Sequence, residues 1–285
     1  MSAAGVTALD GAIASIRRFI PAVVSETGLF GIFTLLFLQS TYILLHKDLR
    51  TRSVRWMLVV TGLMYTLSAA HWGTILSGLL TILRHPESTD VAASHKMGII
   101  ATATAELSLL LGDAVVVWRV WILWGRNRFV LITCSLLFLS TTAMMIVALY
   151  QDATLSPTGR NTLGYVNGIY LGTSAVASFS LSLTTNLWST ALIAYKAWEY
   201  RSNISANILQ DNRKNMVEKV FTLLMESGAL YSSLQVIWIT ALVFWDSTLT
   251  KPFALIMPAV VPQISGIYPT IIIVLAHDRD TPLKL

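Results

Sequence analysis

Charge is what this sequence lacks most. Lysine, arginine, aspartate and glutamate make up 12% of its 285 residues, about half their share in an ordinary soluble domain. Hydrophobic residues make up 54%. With so little polar material to cover a surface, a water-soluble globular domain is excluded and an integral membrane protein is indicated. Cysteine is scarcer still. Cys134 is the single one, and it lies in an apolar run, so no intrachain disulfide can form. The start, MSAAGVTALDGAIASIRRFIP, lacks the basic, apolar and small-residue segments of a cleaved signal peptide, so the first hydrophobic span is expected to target the chain and remain.

Missing motifs narrow the class further. There is no GxxxxGK[ST] phosphate loop, no HExxH and no histidine pair at metal-ligand spacing, so no metal or cofactor is expected. The last hydrophobic run contains no lysine, which excludes a retinal Schiff base. No nucleophile–base pair is visible, and an enzyme is not expected. Nucleic-acid binding has no support, because no basic, aromatic-studded soluble surface exists. The paired broken helices of many secondary transporters are absent as well.

What is present is length of apolar chain. A hydrocarbon core about 30 Å thick takes roughly 20 residues of helix, and seven runs qualify, at about 22–46, 54–83, 97–124, 129–150, 165–199, 217–245 and 252–276. None alternates like a barrel strand, and the connections are too short for a separate soluble domain. The expectation is an all-α, seven-transmembrane helix bundle over residues 1–285, with a short interfacial helix around 8–20 ahead of it. Pro21, Pro252, Pro258, Pro262 and Pro269 are read as helix ends or kinks.

Orientation follows from the basic residues. Arg17, Arg18, Arg84, Lys96, Arg160 and Lys251 fall on one side, and the remaining fourteen of the 20 lysines and arginines on the other. The N-terminus is therefore expected outside and the C-terminus in the cytosol. The sequon Asn203-Ile204-Ser205 then lies in a cytosolic loop, where no glycan is expected.

Ionisable residues inside apolar spans cost a few kcal/mol unless paired or hydrated, and by default they mark function. Glu26, His71, Glu106, Asp113, Arg119 and Glu226 are of this kind, with Asn186 as a polar companion. Counted from the cytosolic helix ends, Asp113, Glu226 and Asn186 lie at roughly 17, 14 and 20 Å, and His71 and Glu106 at roughly 26 and 27 Å. These depths suggest an inner and an outer polar layer. Glu106 and Asp113 are seven apart and share nearly one face of helix three. That face can line a hydrated cavity for a ligand or proton, or simply hydrogen-bond to neighbouring helices. Arg119 can snorkel towards phosphates or reach a neighbouring helix. Arg126 and Arg128, with Trp118, Trp121 and Trp124, read as an interfacial anchor at the cytosolic end.

Four stretches carry a family resemblance: GDAVVVWRVWILW at 112–124, TNLWSTALIAYKAW at 185–198, ESGALYSSLQ at 226–235 and SGIYPTIIIVLA at 265–276. Together they resemble a large group of receptor-like seven-helix membrane proteins from mushroom-forming basidiomycete fungi. The likeness covers helices three to seven well and the N-terminal part loosely. It implies that Asp113, Arg119, Asn186, Glu226 and Pro269 belong to a recurring pattern, but it brings no known ligand or reaction. The marks of better-known seven-helix receptors are lacking: Arg119 stands between Trp118 and Val120, there is one cysteine, and helix seven offers Tyr268-Pro269.

The expected function is a receptor-like sensor of a small or lipophilic ligand entering near His71 and Glu106. Residues 200–216 would meet a cytosolic signalling partner, and the plasma membrane is the expected location. The alternative is a small-solute or proton-coupled transporter with Glu106, Asp113 and Glu226 as a relay.

Overall fold

Long helices account for nearly all of the chain that the computed structural model describes, namely residues 3–47, 51–84, 91–154, 164–166, 169–171, 173–204, 211–244 and 251–280. They are α1 (Ala3–His46), α2 (Arg52–Arg84), α3 (Val91–Leu123), α4 (Arg128–Thr154), α5 (Thr173–Ile204), α6 (Asp211–Val243) and α7 (Lys251–Asp280). At 1.5 Å per residue each is roughly 40 Å long or more. Connections of four to seven residues between most of them cannot run back along such lengths, so consecutive helices pack antiparallel. The α4–α5 pair does the same, since the Ser174 hydroxyl at the start of α5 donates to Gln151 Oε1 near the end of α4 at 2.6 Å. The end of the bundle where α1, α3, α5 and α7 begin is called the near end below, and the opposite one the far end.

Two expectations need correction. The fifth apolar run does not enter its helix at residue 165. Two short antiparallel strands come first, β1 (Gly164–Val166) and β2 (Ile169–Leu171), with Val166 opposite Ile169. That register leaves a two-residue connection whose sequence is Asn-Gly, the pair most favoured in tight hairpins. The separate interfacial helix at 8–20 is also not seen, because α1 runs unbroken from Ala3 through Pro21. Pro258, Pro262 and Pro269 lie inside α7, within the seventh span as expected; proline interrupts one backbone hydrogen bond, and packing against neighbours makes that tolerable within an apolar bundle.

The turn between α3 and α4 shows how local sequence sets a boundary. Arg126 N–H donates to Trp121 O and Gly125 N–H to Ile122 O, both at 3.0 Å. This is the bond pair of a helix closed by a left-handed residue, and Gly125 supplies it with φ 59°. Asn127 then caps α4, its Oδ1 accepting from Phe129 N–H at 2.9 Å.

Sides and interior are inverted relative to a water-soluble protein. Leu35, Tyr42, Phe129, Leu139, Ile146 and Leu230 are all exposed, whereas Glu26, His71, Asp113, Asn186, Gln235 and Gln263 are buried. An apolar exterior of that extent belongs in lipid. Five of the helices (α1 to α4 and α7) contain a stretch long and apolar enough to cross a membrane. α5 and α6 match them in length, and Ser174, Ser178, Ser182, Asn186, Ser189, Ser232 and Gln235 are buried in them. The chain is a helical multi-pass membrane protein.

Two larger apolar clusters, with a smaller one at Val23, Ile75 and Ala101, hold the bundle among the described residues. The far one gathers Val116, Val120, Cys134, Ile193, Phe221 and Ile272; the near one gathers Leu109, Ala148, Tyr231, Trp238, Leu242 and Val261. Along α3, Asp113 falls between Leu109 of the near cluster and Val116 of the far one.

Candidate functional site

The polar residues do not form two layers. They form two separate groups on different sides of the bundle. The first lies between α1, α2 and α7. Glu26 and His71 are both fully buried, with His71 Nδ1 2.6 Å from Glu26 Oε1. Gln263 Nε2 donates to the same carboxyl oxygen at 3.1 Å and to the Ser68 carbonyl at 3.3 Å. The Ser68 hydroxyl donates to Gln263 Oε1. One glutamine on α7 thereby ties α1 to α2. Beside it, Trp72 Nε1 donates to Thr27 Oγ1 at 3.0 Å, and Phe30 stacks between Tyr65 and Trp72. His71 belongs to this group. His71 and Glu106, expected at one depth in an outer layer, belong to different groups, because depth along a helix says nothing about which way the side chain points.

The second group is a seam along α3, α5 and α6 with a branch to α4. Gln235 Nε2 on α6 donates to Ser182 Oγ on α5 at 3.0 Å, which leaves the Ser182 hydroxyl proton for Asp113 on α3. One turn along, Asn186 Nδ2 reaches Ser232 Oγ at 3.4 Å. Tyr231 stacks on Tyr268, with ring centroids 5.6 Å apart. Glu106 and Asp113, both buried, line one small cavity of about 20 Å³ together with Thr141, Ser178 and Ser182. Glu106 also lines a second cavity of about 40 Å³, walled by Trp238, Phe179 and Pro262. Spaces of this size hold one to a few waters, which need polar partners at the wall. Such partners exist. Among the lining residues, Glu106 Oε2, Asp113 Oδ2 and Trp238 Nε1 are buried with no protein partner among the described residues; elsewhere in the seam the same holds for Asn186 Oδ1, Tyr231 Oη and Gln235 Oε1. Asp152 on α4, itself buried, is within electrostatic reach of Glu106.

Glu226 does not join this seam. It lies on the exposed stripe of α6 with Ala229, Leu230 and Ser233, while Tyr231, Ser232, Gln235 and Trp238 form the buried stripe. Its place in an inner layer is corrected for the same reason as that of His71.

The arginines also divide. Arg119 turns between helices and does not snorkel: Nη2 donates to the Pro269 carbonyl at 3.3 Å, and the guanidinium sits over the Tyr268 ring at 5.9 Å. Arg126 and Arg128 are exposed at the far end, Arg126 lying over Trp121 at 5.6 Å. Trp124 leaves the interface to dock on α5, where its Nε1 donates to Leu192 O at 3.3 Å. Of the segment 200–216, residues 205–210 lie outside the described residues, and the rest belongs to the end of α5 and the start of α6.

The sequence reading passed over Ser68, Asp152, Ser182, Tyr231, Gln235 and Gln263. Only the two glutamines carried a signal, as lone amides in apolar runs; serine and tyrosine are too common in membrane helices to stand out. Among the described residues no three His, Cys, Asp or Glu side chains converge as metal ligands. Comparison with known proteins adds no relative: no family model, curated protein or solved structure matches the chain.

Proposed function

We propose that the protein is a receptor-like sensor with seven membrane crossings, its near end outside and its far end in the cytosol, responding to a small or lipophilic ligand. The observation that carries this reading is the seam in which Glu106 and Asp113 share one cavity among six buried, unpartnered polar atoms. Each such atom costs about 1–3 kcal/mol when left unsatisfied. An arrangement of this kind is one of two: a rearrangement that brings in water or a ligand relieves it, and the helices around it shift. The cavities at Glu106 are too small for a ligand as they stand, so α3, α5, α6 and α7 part when one enters. The far ends of α5 and α6 and the basic segment 200–216 carry the change to a cytosolic partner at the plasma membrane. The resemblance to receptor-like fungal seven-helix proteins supports the same reading.

A reporter tests it. Ser202 is exposed at the far end of α5 and the native Cys134 is buried, so Ser202→Cys gives a maleimide signal with little background. Asp113→Asn and Glu106→Gln are expected to change its labelling rate severalfold while Cys134 stays unreactive. Identical rates in all three proteins would end the proposal.

The water-sized cavity joining Glu106 and Asp113 also favours a second reading, a proton-coupled carrier. Proton flux in proteoliposomes that disappears with Asp113→Asn would select it.

A further inference from the structure

A cavity larger than those of the seam borders α3 on another side. It is wedged between α2, α3 and α7, encloses about 250 Å³ and is lined by Trp56, Leu111, Ala114, Val115, Trp118 and Ile273 among other apolar residues. At 100° per residue, Leu111, Val115 and Trp118 stand about 140–200° around α3 from Asp113, so this face and the seam are back to back. Apolar cavities of roughly 150 Å³ already take up benzene.

One charged group closes this space. Arg119 lines it, eight residues and so about 12 Å along α3 from Leu111, at the end nearer the far side. Its Nη2 is engaged by the Pro269 carbonyl. Its Nη1 is buried and has no partner, and no ion pair among the described residues includes Arg119. A guanidinium stays charged whatever its surroundings, and a buried cation without a counter-ion is expensive. The polar wall of the cavity otherwise amounts to Thr61, whose hydroxyl is turned back to Met57 O at 2.7 Å. An apolar slot ending on an unpaired cation complements an apolar chain ending on an anion. Entry from the side is open, since Trp56 at the α2 rim is 65% exposed on the lipid-facing surface.

We infer that the α2–α3–α7 cavity seats a single-chain anionic amphiphile, its acyl chain along Leu111–Trp118 and a headgroup oxygen accepting a hydrogen bond from Arg119 Nη1. The seat is independent of the Glu106–Asp113 seam, and either can fail without the other.

Brominated acyl chains quench tryptophan on contact, and Trp56 and Trp118 both line the slot. The protein in phosphatidylcholine nanodiscs is titrated, at mildly alkaline pH, with dibromostearate, its uncharged methyl ester, and a lysophosphatidate carrying the same chain. A charge-assisted bond to Arg119 is expected to give saturable quenching by an anionic probe at about tenfold lower concentration than by the ester. Arg119→Gln is expected to bring the two together, and Trp118→Phe to remove most of the saturable signal. Saturation by the carboxylate alone assigns the seat to free fatty acids; saturation by the phosphate probe assigns it to a membrane lysolipid. Ala114→Phe leaves Arg119 in place and fills the slot, so it is expected to abolish saturation even if Arg119→Gln fails to fold. Equal quenching by acid and ester, or saturation that survives Ala114→Phe, overturns the inference.

Discussion

His71 and Glu26 lie 45 residues apart in the chain, yet His71 Nδ1 meets Glu26 Oε1 at 2.6 Å with neither side chain reaching the surface. With Gln263 on the same carboxyl, this contact fastens α1 and α2 to α7. It gives these three helices a polar lock distinct from the seam on the other side of α3.

Breaking the lock from one side leaves a buried polar group alone. His71→Leu is expected to lower stability by about 1–3 kcal/mol, and by more if the pair is ionised. Adding Glu26→Leu should recover part of the loss, since apolar replacement of both partners is often near neutral. Cys134 is buried, so its reaction with a thiol-specific dye on heating reports opening of the bundle. A double variant less stable than the single one would contradict this account.

Close approach of α1 and α7 rests on a missing side chain. A Cβ placed on Gly266 would fall 2.5 and 2.6 Å from ring atoms of Phe33, a side chain that is itself fully buried. Gly266→Ala is therefore expected to cost about 1–3 kcal/mol through overpacking. Phe33→Leu in that background should relieve it. The same dye assay measures both, and an undiminished loss in the double variant would place the strain elsewhere.

The seam and the exposed acid should respond oppositely. Ser182→Ala removes the link between Gln235 and Asp113 and is expected to cost about 1–3 kcal/mol. Glu226→Gln, on the exposed stripe of α6, should stay within about 0.5 kcal/mol of the parent and leave the Ser202→Cys labelling rate unchanged. A large effect at Glu226 would return it to the functional set.

The α3–α4 turn offers a local test. Gly125→Ala puts a Cβ on a residue with φ 59°, expected to cost about 1 kcal/mol. Asn127→Ala removes the cap on Phe129 N–H, a further loss of about 0.5–2 kcal/mol. Thermal scans of the two single variants and the pair check both figures.

Most helices were legible because an apolar run of twenty or more residues has one stable backbone in lipid. Observed α2, α3, α4 and α7 overlap the expected runs closely, differing mainly in a few extra residues at their ends. The hairpin ahead of α5 was not, since Tyr165, Val166, Ile169, Tyr170 and Leu171 read as continuous with the apolar span that follows. Pro21 misled in the other direction: it marked a boundary by local rules, and α1 passes through it.

Within the candidate site, composition alone marked Glu106, Asp113 and Asn186 as costly residues inside apolar spans, and depth followed from counting residues. Azimuth did not. Rotating α6 by half a turn exchanges Glu226 with its buried stripe without changing any run length, and the same freedom separates His71 from Glu106. Packing chooses among such rotations, because only one lets Gln235 reach Ser182, Gln263 reach Glu26, and Gly266 clear Phe33. The sequence by itself determined that this chain is helical, apolar and bound for a membrane, with ionisable groups in its interior. Which of those groups meet was decided only by the tertiary structure, since contacts between helices far apart in sequence depend on how each is turned about its axis.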